Sequence, residues 1–158
     1  MSDGPDPLSY CARLLKQRLR SRQELVTAMT RKGIEASAQE GALASLVELG
    51  LVDDVRYARA WIHDRDRLAP RGEAVLRQEL LLKGIDRETI SHVLAERRSQ
   101  AADEEAEQPG ELELARRLAQ GKERLYANLP EEVRRRRLAG FLQRRGFSYD
   151  VVRRILGG

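Results

Sequence analysis

A ten-residue phrase occurs three times along the chain, as Leu25-Val-Thr-Ala-Met29-Thr-Arg-Lys32-Gly33-Ile34, Leu76-Arg-Gln-Glu-Leu80-Leu-Leu-Lys83-Gly84-Ile85 and Leu138-Ala-Gly-Phe-Leu142-Gln-Arg-Arg145-Gly146-Phe147. In each copy apolar residues stand eight and four positions before a glycine, which places them on one face of a helix. A cation precedes the glycine and an apolar residue follows it. This is the grammar of a helix ending. Glycine accepts the left-handed conformation just past the last turn, the cation faces the negative end of the helix dipole, and the next side chain folds back on the helix. Three such endings in 158 residues restrict the chain to a tandem helical repeat.

A further helix follows each ending. Asp86 and Ser148 are N-caps, and Ile90, Val93 and Leu94 are matched at equal offsets by Val152, Ile155 and Leu156. In the first copy Leu43, Leu46 and Leu49 continue the stripe, but Gln39 stands where the others have Ile90 and Val152. Amphipathic stretches precede the phrases at Leu8 to Leu19, Val55 to Leu68 and Leu112 to Leu125. Helix starts are marked by the capping box Ser21-Arg-Gln-Glu24 and by Pro130 followed by Glu131-Glu132, and Pro70 separates two helices of the second unit. The expected architecture is all-α, with nine helices in three three-helix repeats at 6–53, 54–99 and 111–158. The glycines are 51 and 62 residues apart, and the excess is assigned to loops: an acidic linker at 100–110 and a loop from Gly121 to Leu129 that exposes Tyr126. Units of about 45 residues bury little alone, so stacking on neighbours is expected to complete their cores.

Composition agrees with helices, since only 4% of residues are aromatic while 34% are charged. Catalytic chemistry finds little support. His63 and His92 are the only histidines and make no metal-ligand spacing with the lone Cys11, and neither a GxxxxGK[ST] loop nor a GxGxxG after a strand occurs. His63 and Asp64 read as solvent-exposed neighbours. No enzyme activity, cofactor or metal is expected. A single cysteine suits a buried thiol in a reducing compartment, and no signal peptide or run of about 18 apolar residues is visible, so a cytoplasmic, non-membrane protein is expected.

The net charge of +4 is unevenly spread, because residues 112–158 carry twelve basic and five acidic side chains. Of the cations, 25 are arginines, whose planar fork suits phosphate and carboxylate. Arg134 to Arg137 lie on one predicted helix, where four successive residues span about 300° and cannot share one partner. Arg137 and Arg144 do share a face; Arg145 ends that helix and Arg153-Arg154 lie on the next. A solvated face explains such residues as readily as an anionic contact surface does. Base-stacking platforms are scarce: Tyr57 and Trp61 read as core or joint packing, as do Phe141, Phe147 and Tyr149. The Lys83-Gly84-Ile85-Asp86 turn is taken as a structural joint rather than a DNA-reading helix-turn-helix, because it recurs in every unit.

The run Asp53-Asp54-x-Arg56-Tyr57-Ala58, through Arg67 and Gly72, to Arg77-x-Glu79-Leu80-x-x-Lys83-Gly84-Ile85, followed by Arg145-Gly146-Phe147-Ser148 and a closing apolar helix, resembles the bacterial RecX regulatory proteins. The resemblance covers residues 8–157, with its first unit resting on Arg18-x-x-Ser21-x-x-Glu24-Leu25. It implies an elongated, curved array of three repeats that binds RecA, chiefly as its filament on single-stranded DNA. The implied outcome is modulation, and in the reading adopted inhibition, of ATPase, strand-exchange and co-protease activities; a monomer is expected. The contact residues expected are Arg134, Arg137, Arg144, Arg145, Arg153 and Arg154, with Lys32, Arg67 and Lys83 beside them. Two other readings stay open: a sequence-nonspecific DNA-binding helical protein, and an adaptor for some other acidic protein.

Overall fold

The computed structural model describes residues 4–103 and 109–157. Among the described residues all regular structure is helical. The order is α1 (Pro7–Gln17), α2 (Arg22–Arg31), α3 (Ala36–Glu48), α4 (Asp54–Leu68), α5 (Glu73–Leu82), α6 (Arg87–Ala102), α7 (Glu111–Tyr126), α8 (Glu131–Arg144) and α9 (Tyr149–Leu156). The predicted signals act where the sequence puts them. Ser21 accepts from the Glu24 amide while Glu24 caps Ser21 in return, and Asp86 and Ser148 accept from the amides of Thr89 and Val151. Gly33, Gly84 and Gly146 all have positive φ, at 80°, 79° and 92°. Each is followed by an amide that folds back on the helix: Ile34 N donates to Met29 O, Ile85 N to Leu80 O and Phe147 N to Leu142 O.

Each unit of three helices closes around its own core. Cys11, Leu25, Met29, Leu43 and Leu46 fill the first; Ala58, Leu76, Leu80, Ile90 and Leu94 the second; Leu114, Ala115, Leu138, Leu142 and Phe147 the third. Full burial of one leucine contributes roughly 1.5–3 kcal/mol, so each cluster is a large stabilising term for so short a segment. The buried residues form one cluster in each unit, and the units meet through hydrogen bonds, ion pairs and side-chain contacts such as that of Val75 against Gly146. Burial of the thiol pushes the Cys11 pKa up.

Two loop assignments change. The segment from Gly121 is not a loop, since α7 runs to Tyr126. One exposed glycine costs a helix about 1 kcal/mol, and the apolar stripe Leu114, Ala115, Leu118, Ala119 outweighs it. Tyr126 is consequently half-buried against the third core. At the expected acidic linker, Gln100 to Ala102 are still helix α6 and Gly110 is the N-cap of α7; residues 104–108 lie outside the described residues. Tyr149, read as packed, is 74% exposed.

The two joints between units repeat one construction, in which the second helix of one unit begins on the end of the next unit's second helix. At the first, Ser21 Oγ donates to the Lys83 carbonyl at 2.6 Å, and the Arg22 amide at the start of α2 donates to Asp54 Oδ1 at 2.8 Å. At the second, the Gly72 amide donates to the Arg145 carbonyl at 2.8 Å, and the Glu73 amide at the start of α5 donates to Glu111 Oε1 at 3.0 Å. Positive helix starts thus meet negative helix ends, and carbonyls that a helix leaves unpaired gain donors. The result is extended. The chain exposes 10475 Å², where a compact chain of its 18.0 kDa would expose roughly 8,000 Å².

Candidate functional site

The third unit holds the densest group of cations without counter-charges. Arg135 reaches Glu131 at 3.9 Å, and Arg153 and Arg154 share Asp150 at 3.7 and 3.2 Å. Arg134, Arg136, Arg137, Arg144 and Arg145 have no carboxylate partner among the described residues. Four of these five belong to α8, whose N-cap is Pro130 and whose first turn carries Glu131 and Glu132, acidic side chains that favour the positive helix end. Leu138 and Leu142 turn inward, so the heptad partners Arg137 and Arg144 emerge together on the outer face.

These two arginines meet in a groove of about 500 Å³ lined by Tyr126, Arg136, Arg137, Gly140 and Arg144. The Arg137 guanidinium lies 5.9 Å from the Tyr126 ring centroid, so the ring at the end of α7 positions a charge at the end of the neighbouring helix's second turn. Gly140 leaves the middle of the groove open: a Cβ built there would fall 3.0 Å from Arg144 Nη1. No acidic side chain lines the groove. Three guanidiniums and a phenol ring around one opening make a site for an anionic group with several acceptor oxygens. Arg136, Tyr126 and Gly140 were not among the expected residues. The tyrosine is hidden from sequence reasoning by the misassigned loop, whereas Arg136 lies only one position from Arg137.

The other expected residues are dispersed. Arg145 stacks on Phe141 at 5.2 Å beside Lys122, which approaches the same ring at 5.0 Å, while its carbonyl serves the second joint. Arg134 is half-buried. Lys32 is exposed in the first unit, with its ammonium 6.0 Å from the Tyr10 ring. Arg67 is exposed on α4 with no ion-pair partner among the described residues.

Lys83 belongs to the first joint. Its ammonium is 3.3 Å from Glu24 and 5.1 Å from the Trp61 ring. Burial pushes the Glu24 carboxyl up, but hydrogen bonds and charge from Arg18 and Lys83 outweigh it and hold the group below its ordinary range. Tyr57, stacked at 6.2 Å on Trp61, donates its hydroxyl to Glu24 at 3.2 Å, and Trp61 Nε1 donates to Glu79 at 2.9 Å. Burial first, then the Glu24 charge, pushes the Tyr57 phenol up to about 12. These rings are packing elements, as their spacing predicts. Among the described residues no group of three or more metal-binding side chains converges, and no helix is long and apolar enough to cross a membrane.

Comparison with known proteins places this geometry. The family model described as the second three-helix domain of RecX matches residues 53–94, and that of the third three-helix domain matches 110–156. A regulatory protein RecX of Mycobacterium sp. (strain KMS) is 37% identical, covering 94% of this chain and 84% of its own length. The regulatory protein RecX of Mycolicibacterium smegmatis is 39% identical, covering 91% and 76%. A crystal structure of RecX from Lactobacillus salivarius superposes with a TM-score of 0.82 at 20% identity, over 96% of this chain and 92% of that one. Another, of a regulatory protein RecX, gives 0.81 at 25% identity over 96% and 70%. An all-helical array of three-helix units, matching relatives along nearly its whole length, belongs to the RecX family of regulatory proteins.

Proposed function

We propose that this chain is a non-enzymatic regulator of RecA that binds the RecA filament on single-stranded DNA and lowers its ATPase, strand-exchange and co-protease activities. The observation that carries the reading is the groove of the third unit, where Arg136, Arg137 and Arg144 face solvent without a counter-charge in a chain of a regulatory family. An extended array presents many modest contacts at once, and a polymer offers each of them a partner, so affinity for the filament exceeds affinity for a single subunit. A brace across several subunits restricts the movements that accompany nucleotide turnover. Such a brace needs rigid joints, and the paired hydrogen bonds at both joints supply them.

The test is DNA-dependent ATP hydrolysis by RecA with this protein titrated from sub-stoichiometric to equimolar amounts. Hydrolysis is expected to fall at concentrations too low to cover the DNA. Substituting Arg137→Glu with Arg144→Glu is expected to remove the effect while circular dichroism shows unchanged helix content. Unchanged inhibition by that variant would take the groove out of the reading. A second reading, direct binding to nucleic acid, is favoured by the same guanidiniums gathered beside a ring. It predicts binding to bare single strands that weakens with salt, at a slope of about −0.7 per phosphate contact on a logarithmic plot.

A further inference from the structure

The helix ending that the chain repeats three times is covered in two copies and open in the third. At Gly84, a Cβ would fall inside the Cβ of Gln23, from the first turn of α2. At Gly146 it would lie 2.6 Å from the backbone nitrogen of Val75, from the first turn of α5. In both, the carbonyl just before the glycine, of Lys83 or Arg145, accepts from the N-cap residue of that incoming helix. The apolar residue after the glycine is then sealed: Ile85 is 1% exposed and Phe147 3%. Gly33 has the same conformation and the same internal hydrogen bonds, but a Cβ there would meet nothing within 4 Å. The Lys32 carbonyl accepts no hydrogen bond among the described residues, and Ile34, though packed on the first core, is half-buried rather than sealed.

We infer that the Lys32-Gly33-Ile34 turn is a docking socket for the N-terminus of an α-helix in a partner protein. The two filled copies specify the occupant. Its N-cap donates to the Lys32 carbonyl, through a hydroxyl as Ser21 does or through the amide of a residue small enough to approach, as Gly72 does. Its first turn lies over the bare face of Gly33, where any side chain would otherwise block the approach. A glutamate three positions after its N-cap meets the Lys32 ammonium, as Glu24 meets Lys83 at 3.3 Å. The helix-end dipoles add attraction of the same sign. One element is missing: Pro7 stands at the start of α1 where α4 has Asp54 and α7 has Glu111, so no side chain in that position accepts the occupant's first free amide. The socket is thus weaker than the internal joints, which suits an exchangeable partner. It is independent of the arginine groove of the third unit.

The test uses the full ¹⁵N-labelled chain and a lactam-stapled helical peptide of its own residues 20–31, the segment that covers Gly84. Amide shifts are expected at Lys32, Gly33 and Ile34. Lys32→Glu, an exposed substitution checked by its unchanged melting temperature, is expected to weaken the peptide at least about fivefold. A peptide carrying Glu24→Lys is expected to recover most of that loss on the Lys32→Glu protein and to bind the unaltered protein worse. Three results overturn the inference: no shifts at the turn, shifts confined to the Lys83-Gly84 turn through displacement of α2, or equal binding by a scrambled peptide.

Discussion

Residues with the same sequence role carry different loads in this array, and the differences are measurable. Glycine is needed at 33, 84 and 146 because φ is positive, a conformation that costs other residues roughly 1–2 kcal/mol. Clearance adds to that cost where a joint closes over the glycine. Gly33→Ala is expected to cost about 1 kcal/mol, and Gly84→Ala and Gly146→Ala more, with Gly146→Ala the worst because its neighbour is backbone. Urea denaturation of the three variants gives the order directly. Gln39 shows the opposite economy: buried at 8% exposure where the sister units have Ile90 and Val152, it donates Nε2 to the Ile34 carbonyl at 2.8 Å and to Thr30 Oγ1 at 3.2 Å. Gln39→Leu, although it looks like a return to the repeat pattern, is expected to lose about 1–3 kcal/mol because that carbonyl loses its donor. A variant as stable as the parent would show that water replaces the amide. Tyr57 is expected to ionise near pH 12, against about 10 for an ordinary phenol, and the loss of that step from the absorbance titration of Tyr57→Phe checks the assignment.

At the scale of the helix, what the sequence made legible was whatever depends on local chemistry. Caps and glycine endings bind amides within a few residues, and the apolar stripes need only a face to bury, so nine helices and the phase of each could be read from pattern. The errors arose where a distant partner decides. Gly121 and the polar residues after it look like a loop until α8 is packed alongside; Tyr126, at the end of α7, packs on the third core and lies 5.9 Å from Arg137, eleven residues further on. The candidate site suffers from the same defect. Arg137 and Arg144 were readable as heptad partners, but the ring that completes their groove was not, and Lys83 looks free until Glu24, 59 residues earlier, is found beside it. One prediction belongs to this scale. The Gly121 face of α7 is open, so Gly121→Ala fits the helix without displacing any neighbour and is expected to stabilise the chain by up to about 1 kcal/mol, read as a shift in the denaturation midpoint at constant slope.

For the molecule as a whole, the separation of cores from joints means that pH reaches the shape of the array before it reaches the cores. Each joint sets a carboxylate against the first amide of the incoming helix, Asp54 at one and Glu111 at the other, and burial pushes both groups above the ordinary carboxylate range. A carboxyl with a raised pKa contributes stability that is fully present below its unfolded value, about 4.3 for glutamate, and is lost as pH rises through the folded value. Glu24 works in the other direction at the first joint, since its lowered pKa contributes stability above the unfolded value that is lost as pH falls through the folded one. At the second joint the acid-side behaviour follows Glu111, whose carboxyl burial pushes up. Glu111→Gln keeps an acceptor for the Glu73 amide while removing the buried charge. It is expected to raise the urea midpoint at pH 7 and to lose that advantage near pH 4, where the parent carboxyl is itself protonated. A glutamine variant less stable than the parent at pH 7 would mean that the attraction of Arg97, which acts on Glu111 against its burial, governs the joint instead.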